Sequence, residues 1–388
     1  MALIPVVLAA SGTRVGFKDA FATARGNAFV ATADNPSAVY YNPAGLTQLK
    51  GQDFSATAYL VEFQADYSSS LTGRTSSLKK ETQLLPQFYY AWASADSRWA
   101  LGLGYYAPFG LSTDWNNSPD LFEFATKNKE TYTTFNPVFA WRVSDSFSIG
   151  GGVTFDHLKV DLNRGIIFSG VAPTGTFRFN ASGDDVGYNL GLRWQPADEH
   201  AFGLSYQAQT TFNVNGTSDL VPLIAGEPAQ ASFAFPDVII AGYSYRPTPE
   251  WNIEANIDWT NWDRFKAVTI TKASGPVTLP FNWRSSYFYE IGATRYFNNG
   301  WSASAGLTYA ENSVPDATFN PALPDANRLF WNAGVGYAQG PLRFMLTLQR
   351  ASGSRTVNSG QRTLAGSTPD GSYSTSINAL SFSLDYRF

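Results

Sequence analysis

Large apolar side chains alternate with small or polar ones along much of this chain. The last eleven residues, 378–388, place a large apolar residue at every second position: Leu380, Phe382, Leu384, Tyr386 and Phe388. The same spacing recurs in segments 186–194, 251–259, 301–309 and 342–348. Adjacent side chains of a strand point to opposite faces, so each segment predicts a strand with one apolar and one polar face.

The links between the predicted strands alternate in length. The pattern predicts strands at about 51–66, 82–95, 97–108, 131–143, 145–162, 177–195, 199–213, 230–246, 250–263, 282–296, 299–310, 326–338, 340–350 and 376–388. Tight links follow the even-numbered strands. Long links follow the odd-numbered ones, at 67–81, 109–130, 163–176, 214–229, 264–281, 311–325 and 351–375. An even number of strands with short turns at one end and long loops at the other is typical of bacterial outer-membrane barrels.

The two faces of the predicted strand at 251–259 distinguish a membrane barrel from a soluble β-protein. Trp251 and Trp259 stand at the two ends of its apolar face, and eight residues of tilted strand come close to the ~25 Å apolar band of an outer-membrane barrel. Its other face carries Asn252, Glu254, Asn256 and Asp258, which are costly in a dry core but not in a wet lumen. We therefore predict a fourteen-stranded antiparallel transmembrane β-barrel; the alternative is a large soluble β-protein.

Composition narrows the class without deciding it. The 388 residues include no Cys, which excludes disulfides and thiolate chemistry, and a net charge of -4 gives no support for a nucleic-acid partner. The apolar run 2–10 is too short to span a membrane as a helix. It resembles the back half of a secretory signal without the basic front end. Residues 1–10 are thus either a remnant of a signal segment behind a misplaced start or ordinary structure.

Residues 11–50 do not alternate. They are rich in Ala, Gly and Asn, and 20–31 could form a short helix. The pairs Asn35-Pro36 and Asn42-Pro43 predict turns, because proline keeps the residue before it out of the helical region. A barrel of fourteen strands encloses more space than side chains fill. We predict that 11–50 forms an N-terminal plug, or hatch, inside a barrel formed by 51–388.

The hatch region resembles that of the FadL family of outer-membrane transporters for long-chain fatty acids and other hydrophobic compounds. The resemblance rests on the Asn-Pro-Ala motif at Asn42, Pro43 and Ala44, on the preceding segment 31–37, and on 105–115, which is similar to the family's third strand and following loop. The family's fold is a fourteen-stranded barrel with a hatch. The resemblance implies an apolar pocket above the hatch and a sideways exit where the third strand kinks beside the hatch motif.

Six further residues are candidates for parts of that route. Gly102, Gly104 and Gly110 are candidates for the kink in the third strand, because glycine within a strand often marks a bulge. Tight packing against the hatch is the alternative for all three. Phe17, Phe21 and Phe29 are candidates for the substrate pocket, with packing inside the plug as their alternative.

Neither catalysis nor a metal site is indicated. The two histidines, His157 and His200, are far apart in sequence and neither lies in a nucleophile motif, so we predict no enzyme and no cofactor. Charged residues are predicted to face inward, where they would either line a channel or brace the plug: Arg142, Arg193, Arg284, Arg328, Arg343, Glu254, Asp258 and Glu290.

These patterns together predict passive transport of a hydrophobic small molecule across the outer membrane of a Gram-negative-type bacterium. The alternative is a general diffusion porin with a water-filled lumen. The predicted partners are the substrate, outer-membrane lipid, and the barrel-assembly machinery, which would recognise the last strand ending in Phe388. The barrel is expected to be a monomer.

Overall fold

The computed structural model describes residues 12–96, 98–115, 118–167, 175–363 and 365–388. The predicted signal remnant, 1–10, lies outside them. The strands are β1 Gly51–Ser69, β2 Thr75–Ser77, β3 Thr82–Ala93, β4 Trp99–Tyr106, β5 Gly110–Asp114, β6 Lys127–Ser144, β7 Phe147–Ile166, β8 Gly175–Ala197, β9 His200–Gln207, β10 Thr210–Val221, β11 Ile224–Phe235, β12 Val238–Thr248, β13 Trp251–Thr260, β14 Ala267–Lys272, β15 Val277–Pro280, β16 Ser286–Tyr296, β17 Trp301–Ala310, β18 Arg328–Gln339, β19 Leu342–Val357 and β20 Gly371–Arg387.

These strands form one closed antiparallel ring. The third barrel strand consists of β4 and β5, the seventh of β9 and β10, and the eighth of β11 and β12. β14 and β15 extend the ninth and tenth strands, and among the described residues β2 pairs only with β1. Closure comes from β20, which pairs with β1 from Asp53↔Arg387 to Ser69↔Gly371. The predicted fourteen-stranded antiparallel barrel is confirmed.

The two faces of the ring differ as the alternation predicted. Trp251, Ile253 and Ile257 on β13 are exposed on the outside, while Asn252 and Asp258 on the same strand are fully buried inside. A lipid-facing surface can be apolar without cost, and the ring supplies every strand with a neighbour. Within the described residues, no helix is long and apolar enough to cross a membrane.

Two predicted loops are largely strand. The segment 214–229 lies in the hairpin of β10 and β11, and 264–281 contains the hairpin of β14 and β15. The prediction missed both because these hairpins lie at the long-loop end of the barrel. Beyond the apolar band, both faces of a strand can be polar, as at the adjacent Thr217, Ser218 and Asp219, and the period-two contrast disappears.

Residues 12–50 fold inside the ring and are almost entirely buried. They contain two short α-helices, α1 (Ala20–Ala24) and α2 (Ala38–Tyr41), and a 3₁₀-helix, Pro43–Gln48. The predicted helix over 20–31 ends at Ala24. Gly26 and Asn27 follow with positive φ, of 64° and 69°, a conformation that cannot continue a right-handed helix. We call residues 12–50 the hatch. Two other 3₁₀ turns, Trp262–Arg264 and Asp316–Thr318, lie between barrel strands.

Candidate functional site

Buried ion pairs fasten the hatch to the barrel wall. Near the long-loop end, Arg14 Nη1 lies 2.5 Å from Asp258 Oδ1 and 2.9 Å from Thr260 Oγ1, and both charged groups are out of contact with solvent. Breaking such a pair leaves an uncompensated buried charge, which is strongly destabilising. This contact therefore holds the start of the hatch against β13.

Two wall carboxylates bind the middle of the hatch. Glu254 accepts hydrogen bonds from the backbone N–H groups of Ala31, at 2.8 Å, and Thr32, at 3.0 Å, and it also pairs with Arg25. Glu290 accepts from the side-chain amide of Asn27 at 2.9 Å. Of the two roles considered for the inward charges, these contacts favour bracing of the hatch over lining of an open channel.

The other predicted inward charges also contact the hatch or pair with aspartates, with one exception. Arg193 Nε donates to the carbonyl of Ala31 in the hatch at 2.9 Å, and Arg142 donates to the carbonyl of Thr47. Arg328 and Arg343 are paired with wall or loop aspartates. The prediction for Arg284 was wrong: it is exposed, because it lies between β15 and β16 where the chain is not a strand.

The Asn-Pro-Ala motif fastens the end of the hatch to β8. Asn42 caps the 3₁₀-helix by accepting from Ala44 N at 3.2 Å, and its amide donates to the carbonyls of Val30, at 2.8 Å, and Leu192, at 2.9 Å. Pro43 packs on the wall where glycines leave room: a Cβ at Gly150 or Gly191 would overlap the motif. The motif thus lies against β7 and β8, whereas α2, just before it, faces the third strand.

The third barrel strand is interrupted between β4 and β5. Tyr106 pairs with Thr134 and Gly110 with Thr131, so three residues of the third strand stand opposite two of β6. At the interruption the chain pairs with the hatch instead: Val15 N donates to the carbonyl of Pro108, and Gly110 N to that of Thr13, both at 2.8 Å. The extra residue bends the strand inward, as a β-bulge does.

The bend leaves part of β3 without a neighbour in the wall. Phe88–Ala93 of β3 pair with β4, whereas Thr82–Gln87 have registered partners only in β1 among the described residues. The hydrogen bond from Lys79 N to the carbonyl of Asp114, at 2.8 Å, closes the wall again above this stretch. We call the interval between Thr82–Gln87 and the bend the window.

A short piece of the hatch, Val15–Lys18, lies across the inner side of the window. Gln87 on the β3 edge donates to the carbonyl of Phe17 at 3.2 Å. On the opposite edge, the ammonium group of Lys18 donates to the carbonyl of Ala107 at 2.7 Å. Burial, followed by the nearby Arg14, lowers the pKa of Lys18 well below its usual range. The hatch therefore contacts both edges of the window.

The three glycines predicted for the kink occupy different places. Gly110 is the first residue after the interruption, whereas Gly102 and Gly104 lie in the regular part of β4. A Cβ at Gly102 would come within 2.7 Å of Leu46 and Val39 of the hatch, and one at Gly104 within 2.8 Å of Val39. The two glycines of β4 therefore let the hatch approach the wall, which was the alternative considered for them.

An apolar cavity of about 280 Å³ lies at the long-loop end, above the hatch. We call it the upper cavity. Its floor includes Thr13 of the hatch, and much of its wall is aromatic: Phe177, Phe235, Trp262, Phe265, Phe281 and Trp283. Four of these rings pack edge to face or tilted against one another, as Phe265 and Trp283 do at 4.7 Å between centroids; Trp262 and Phe265 follow β13, and Phe281 and Trp283 lie between β15 and β16.

A second cavity, of about 330 Å³, lies on the other side of the hatch near the short turns. We call it the lower cavity. Its lining is charged, with Asp19 and Asp34 from the hatch and Arg246, Arg343 and Asp385 from the wall. Arg343 lies 3.1 Å from Asp385, and Arg246 lies 3.1 Å from Asp34. The hatch thus separates an aromatic cavity from a charged one.

None of the three phenylalanines predicted for the substrate pocket lines the upper cavity. Phe17 packs between Tyr59 and Phe330 of the wall, with ring centroids 6.3 and 5.2 Å away. Phe29 packs within the hatch against Phe21, which itself borders the lower cavity. These positions fit the alternative role of plug packing.

The histidines lie on the outside of the barrel. His157 Nδ1 is 2.7 Å from Asp184, and His200 Nδ1 is 2.7 Å from the hydroxyl of Tyr243, so neither pairs with a serine. Among the described residues, no group of three or more histidine, aspartate or glutamate side chains is arranged to hold a metal ion.

Comparison with known proteins identifies the family. The model of the outer membrane protein transport protein family (OMPP1/FadL/TodX) matches residues 6–388. The chain belongs to this family. It is therefore an outer-membrane transport protein with a multi-pass β-barrel, and the predicted resemblance to FadL is confirmed.

Members of the FadL family with known structures share this fold. The crystal structure of a Pseudomonas aeruginosa FadL homologue matches with a TM-score of 0.86 at 18% identity, covering 97% of this chain and 99% of that chain. The crystal structure of the P. putida toluene transporter TodX matches with a TM-score of 0.76 at 17% identity, covering 95% of this chain and 98% of that chain. The Escherichia coli O6:H1 long-chain fatty acid transport protein is 24% identical over 354 residues, with 79% of each chain covered.

Sequence reasoning missed the residues of the window and the upper cavity. Pro108 was the available signal for the bend, because proline has no backbone N–H to donate to a neighbouring strand. No comparable signal marks Glu130 or Arg164, which line the upper cavity, since each stands in a strand extension where both faces carry polar residues.

Proposed function

We propose that this protein carries hydrophobic small molecules, long-chain fatty acids or related apolar compounds, passively across the outer membrane. The solute enters the upper cavity from the long-loop side and leaves sideways through the window into the membrane. The observation that carries the proposal is the position of the unpaired β3 stretch, Thr82–Gln87, beside a bend that the hatch contacts on its inner side.

The two cavities explain why a sideways exit is favoured. An apolar molecule gains about 25 cal/mol for each Å² of surface removed from water, and the upper cavity offers aromatic contacts for it. Continuing straight on would require passage through the buried ion pairs of the hatch and then through the charged lower cavity. Leaving through the wall places the molecule in hydrocarbon, where its apolar surface stays out of water.

The hatch segment Val15–Lys18 is the part that must move for this exit. It contacts the bend through Pro108 and Ala107 and the β3 edge through Gln87. None of these hydrogen bonds is an ion pair, and each contributes about 0.5–1.5 kcal/mol, or about 1.5–3 kcal/mol where the Lys18 ammonium group donates, whereas the rest of the hatch is held by buried ion pairs. A solute pressing on this segment therefore meets less resistance than one pressing on Arg14 or Glu254.

The purified barrel, studied in a planar bilayer and in liposomes, tests the proposal. We expect low ion conductance together with transfer of a radiolabelled long-chain fatty acid, or of toluene, into the liposome membrane above the rate for empty liposomes. Conductance that is large and steady, with no transfer of either solute, would instead establish a diffusion porin. The ion pairs across the hatch argue against that alternative, because they fill the lumen at the level of β13.

A further inference from the structure

The upper cavity contains buried polar atoms that the described residues leave without a hydrogen-bond partner. Most of its lining is apolar, so these atoms stand out. They are Asn128 Nδ2, Arg164 Nε and Trp283 Nε1, and also Thr13 Oγ1 and Glu130 Oε1, whose side chains lie close enough to interact with each other but do not reach hydrogen-bond geometry. An unpaired buried polar group costs about 1–3 kcal/mol, so a group of such atoms around one cavity indicates a ligand that bears a polar group.

Glu130 is the only carboxylate among these five groups. It stands on β6 next to the bend, because its strand neighbour Thr131 pairs with Gly110. Only 9% of Glu130 is exposed, and it takes part in none of the ion pairs among the described residues. Glu123, also on the cavity wall, differs because it accepts a hydrogen bond from Thr363. Apart from the nearby Thr13 hydroxyl, Glu130 is thus a strong acceptor facing an apolar space.

Two strand positions before Glu130, Asn128 faces the same cavity with an unused donor. Its Oδ1 accepts from Asn163 N at 2.9 Å, which fixes the amide and leaves Nδ2 free among the described residues. Residues two apart on a strand point to the same face, so the acceptor of Glu130 and the donor of Asn128 lie side by side. A hydroxyl group is the smallest group that both donates and accepts a hydrogen bond.

We propose that Glu130 selects uncharged apolar molecules that carry a hydroxyl group, alcohols or phenols, by accepting the hydrogen bond of that hydroxyl in the upper cavity. This inference rests on the proposed function, since it assigns the head group of the transported solute. A carboxylate placed beside Glu130 would meet a like charge, and the cation on the cavity wall, Arg164, lies over the ring of Phe177. A plain hydrocarbon would leave both Glu130 and Asn128 without a partner.

The assignment is tested by comparing the binding of two ligands, of which only one has a hydroxyl group that can donate a hydrogen bond. The probes are radiolabelled 1-decanol and its methyl ether, which has the same chain but no O–H, with decanoate as the charged comparison. Binding is measured by equilibrium dialysis against the full-length barrel in lipid nanodiscs, with empty nanodiscs as the blank. Burial raises the pKa of Glu130 to about 7, so the buffer is set at pH 8, where the carboxylate form predominates.

We expect the wild-type barrel to bind 1-decanol about tenfold more tightly than the ether, the factor that a hydrogen bond to a charged group supplies. Glu130→Leu should remove this preference while keeping the affinity for the ether. Glu130→Gln, which retains an acceptor without the charge, should show an intermediate preference and covers the case in which the Leu variant fails to assemble. Glu123→Gln is the matched control and should keep the full preference.

Three results would overturn the assignment. They are equal binding of alcohol and ether by the wild-type barrel, tighter binding of decanoate than of 1-decanol, and an unchanged preference in both Glu130 variants. In each case the apolar cavity would still bind solutes, so the proposed transport function would stand. If none of the probes binds above the blank, both the head-group assignment and the upper cavity as the transport site are wrong.

Discussion

The two cavities on either side of the hatch have similar volumes but opposite chemistry. The upper one, of about 280 Å³, is lined by rings such as Phe265 and Trp283, whereas the lower one, of about 330 Å³, is lined by Asp19, Arg343 and Asp385. Different parts of the ring line them: β6, β7, β8, β11 and connections at the long-loop end line the upper cavity, whereas β12, β16–β20 and the hatch line the lower one. This difference shows that the lumen offers an apolar environment only as far as the window.

The largest effect is expected from breaking an ion pair that holds the hatch between the two cavities. Arg14→Met leaves Asp258 buried without its cation, at a cost of about 3–5 kcal/mol. The hatch should loosen, the thermal unfolding temperature should fall, and the conductance in planar bilayers should rise.

The double variant Arg14→Met/Asp258→Leu is the control, because it removes both charges and should recover most of the stability. If Arg14→Met alone keeps the stability and conductance of the wild type, this ion pair does not hold the hatch in place.

Removing one ring from each cavity sharpens the comparison directly. Phe265→Ala, in the upper cavity, should weaken binding of an apolar solute about tenfold or more, since burying such a side chain against the solute contributes about 1.5–3 kcal/mol. Phe21→Ala, bordering the lower cavity, should leave binding within about twofold. Equilibrium dialysis with labelled 1-decanol measures both, and equal losses would remove the distinction between the cavities.

A smaller effect is expected from Asn42→Ala in the hatch motif. The change leaves the carbonyls of Val30 and Leu192 without their donor, which costs about 1–3 kcal/mol. Hydrogen exchange should become faster in the 3₁₀-helix Pro43–Gln48, while solute binding in the upper cavity stays unchanged. Loss of solute binding with an undisturbed hatch would instead give Asn42 a role in the pocket.

The smallest effect is a pH dependence confined to the lower side of the hatch. Burial, followed by the nearby Asp385, raises the pKa of Asp19 to about 7. The folded hatch favours the protonated form, so this contribution to stability is present at acidic pH and is lost as the pH rises through 7.

Exchange rates in α1, corrected for the intrinsic effect of pH, should therefore be lower at pH 5.5 than at pH 8. Asp19→Asn, which resembles the protonated form, should reduce the difference. A wild-type hatch with equal corrected rates at both values would contradict the assignment.

The barrel could be predicted from sequence because lipid and lumen impose opposite demands on adjacent residues. That contrast holds for β13, with Trp251 outside and Asn252 inside, and it fades in the β10–β11 hairpin, where polar residues such as Thr217 and Ser218 stand on both faces. The hatch was predicted from the absence of alternation and from its motif. Its wall contacts, such as Arg14 with Asp258, join residues far apart in sequence and leave no local signal.

The window and the upper cavity depend on register, which one sequence does not reveal. The bend exists because three residues, Ala107–Phe109, stand opposite two of β6, and this count is known only once Tyr106 is paired with Thr134 and Gly110 with Thr131. Glycine was a misleading guide here, since Gly102 and Gly104 make room for the hatch within regular strand. Likewise, the cavity lining comes from strands and connections spread over the whole chain.

Deleting Pro108 tests the sideways exit most directly. The deletion leaves two residues opposite two, so the third strand can pair continuously with β6 and straighten along β3. Pro108→Ala is the matched control, because it removes the proline but keeps the extra residue. We predict that the deletion variant, assembled and still binding solute in the upper cavity, transfers labelled fatty acid or toluene to liposomes at least about tenfold more slowly than Pro108→Ala. Equal transfer by the two variants would contradict exit through the window.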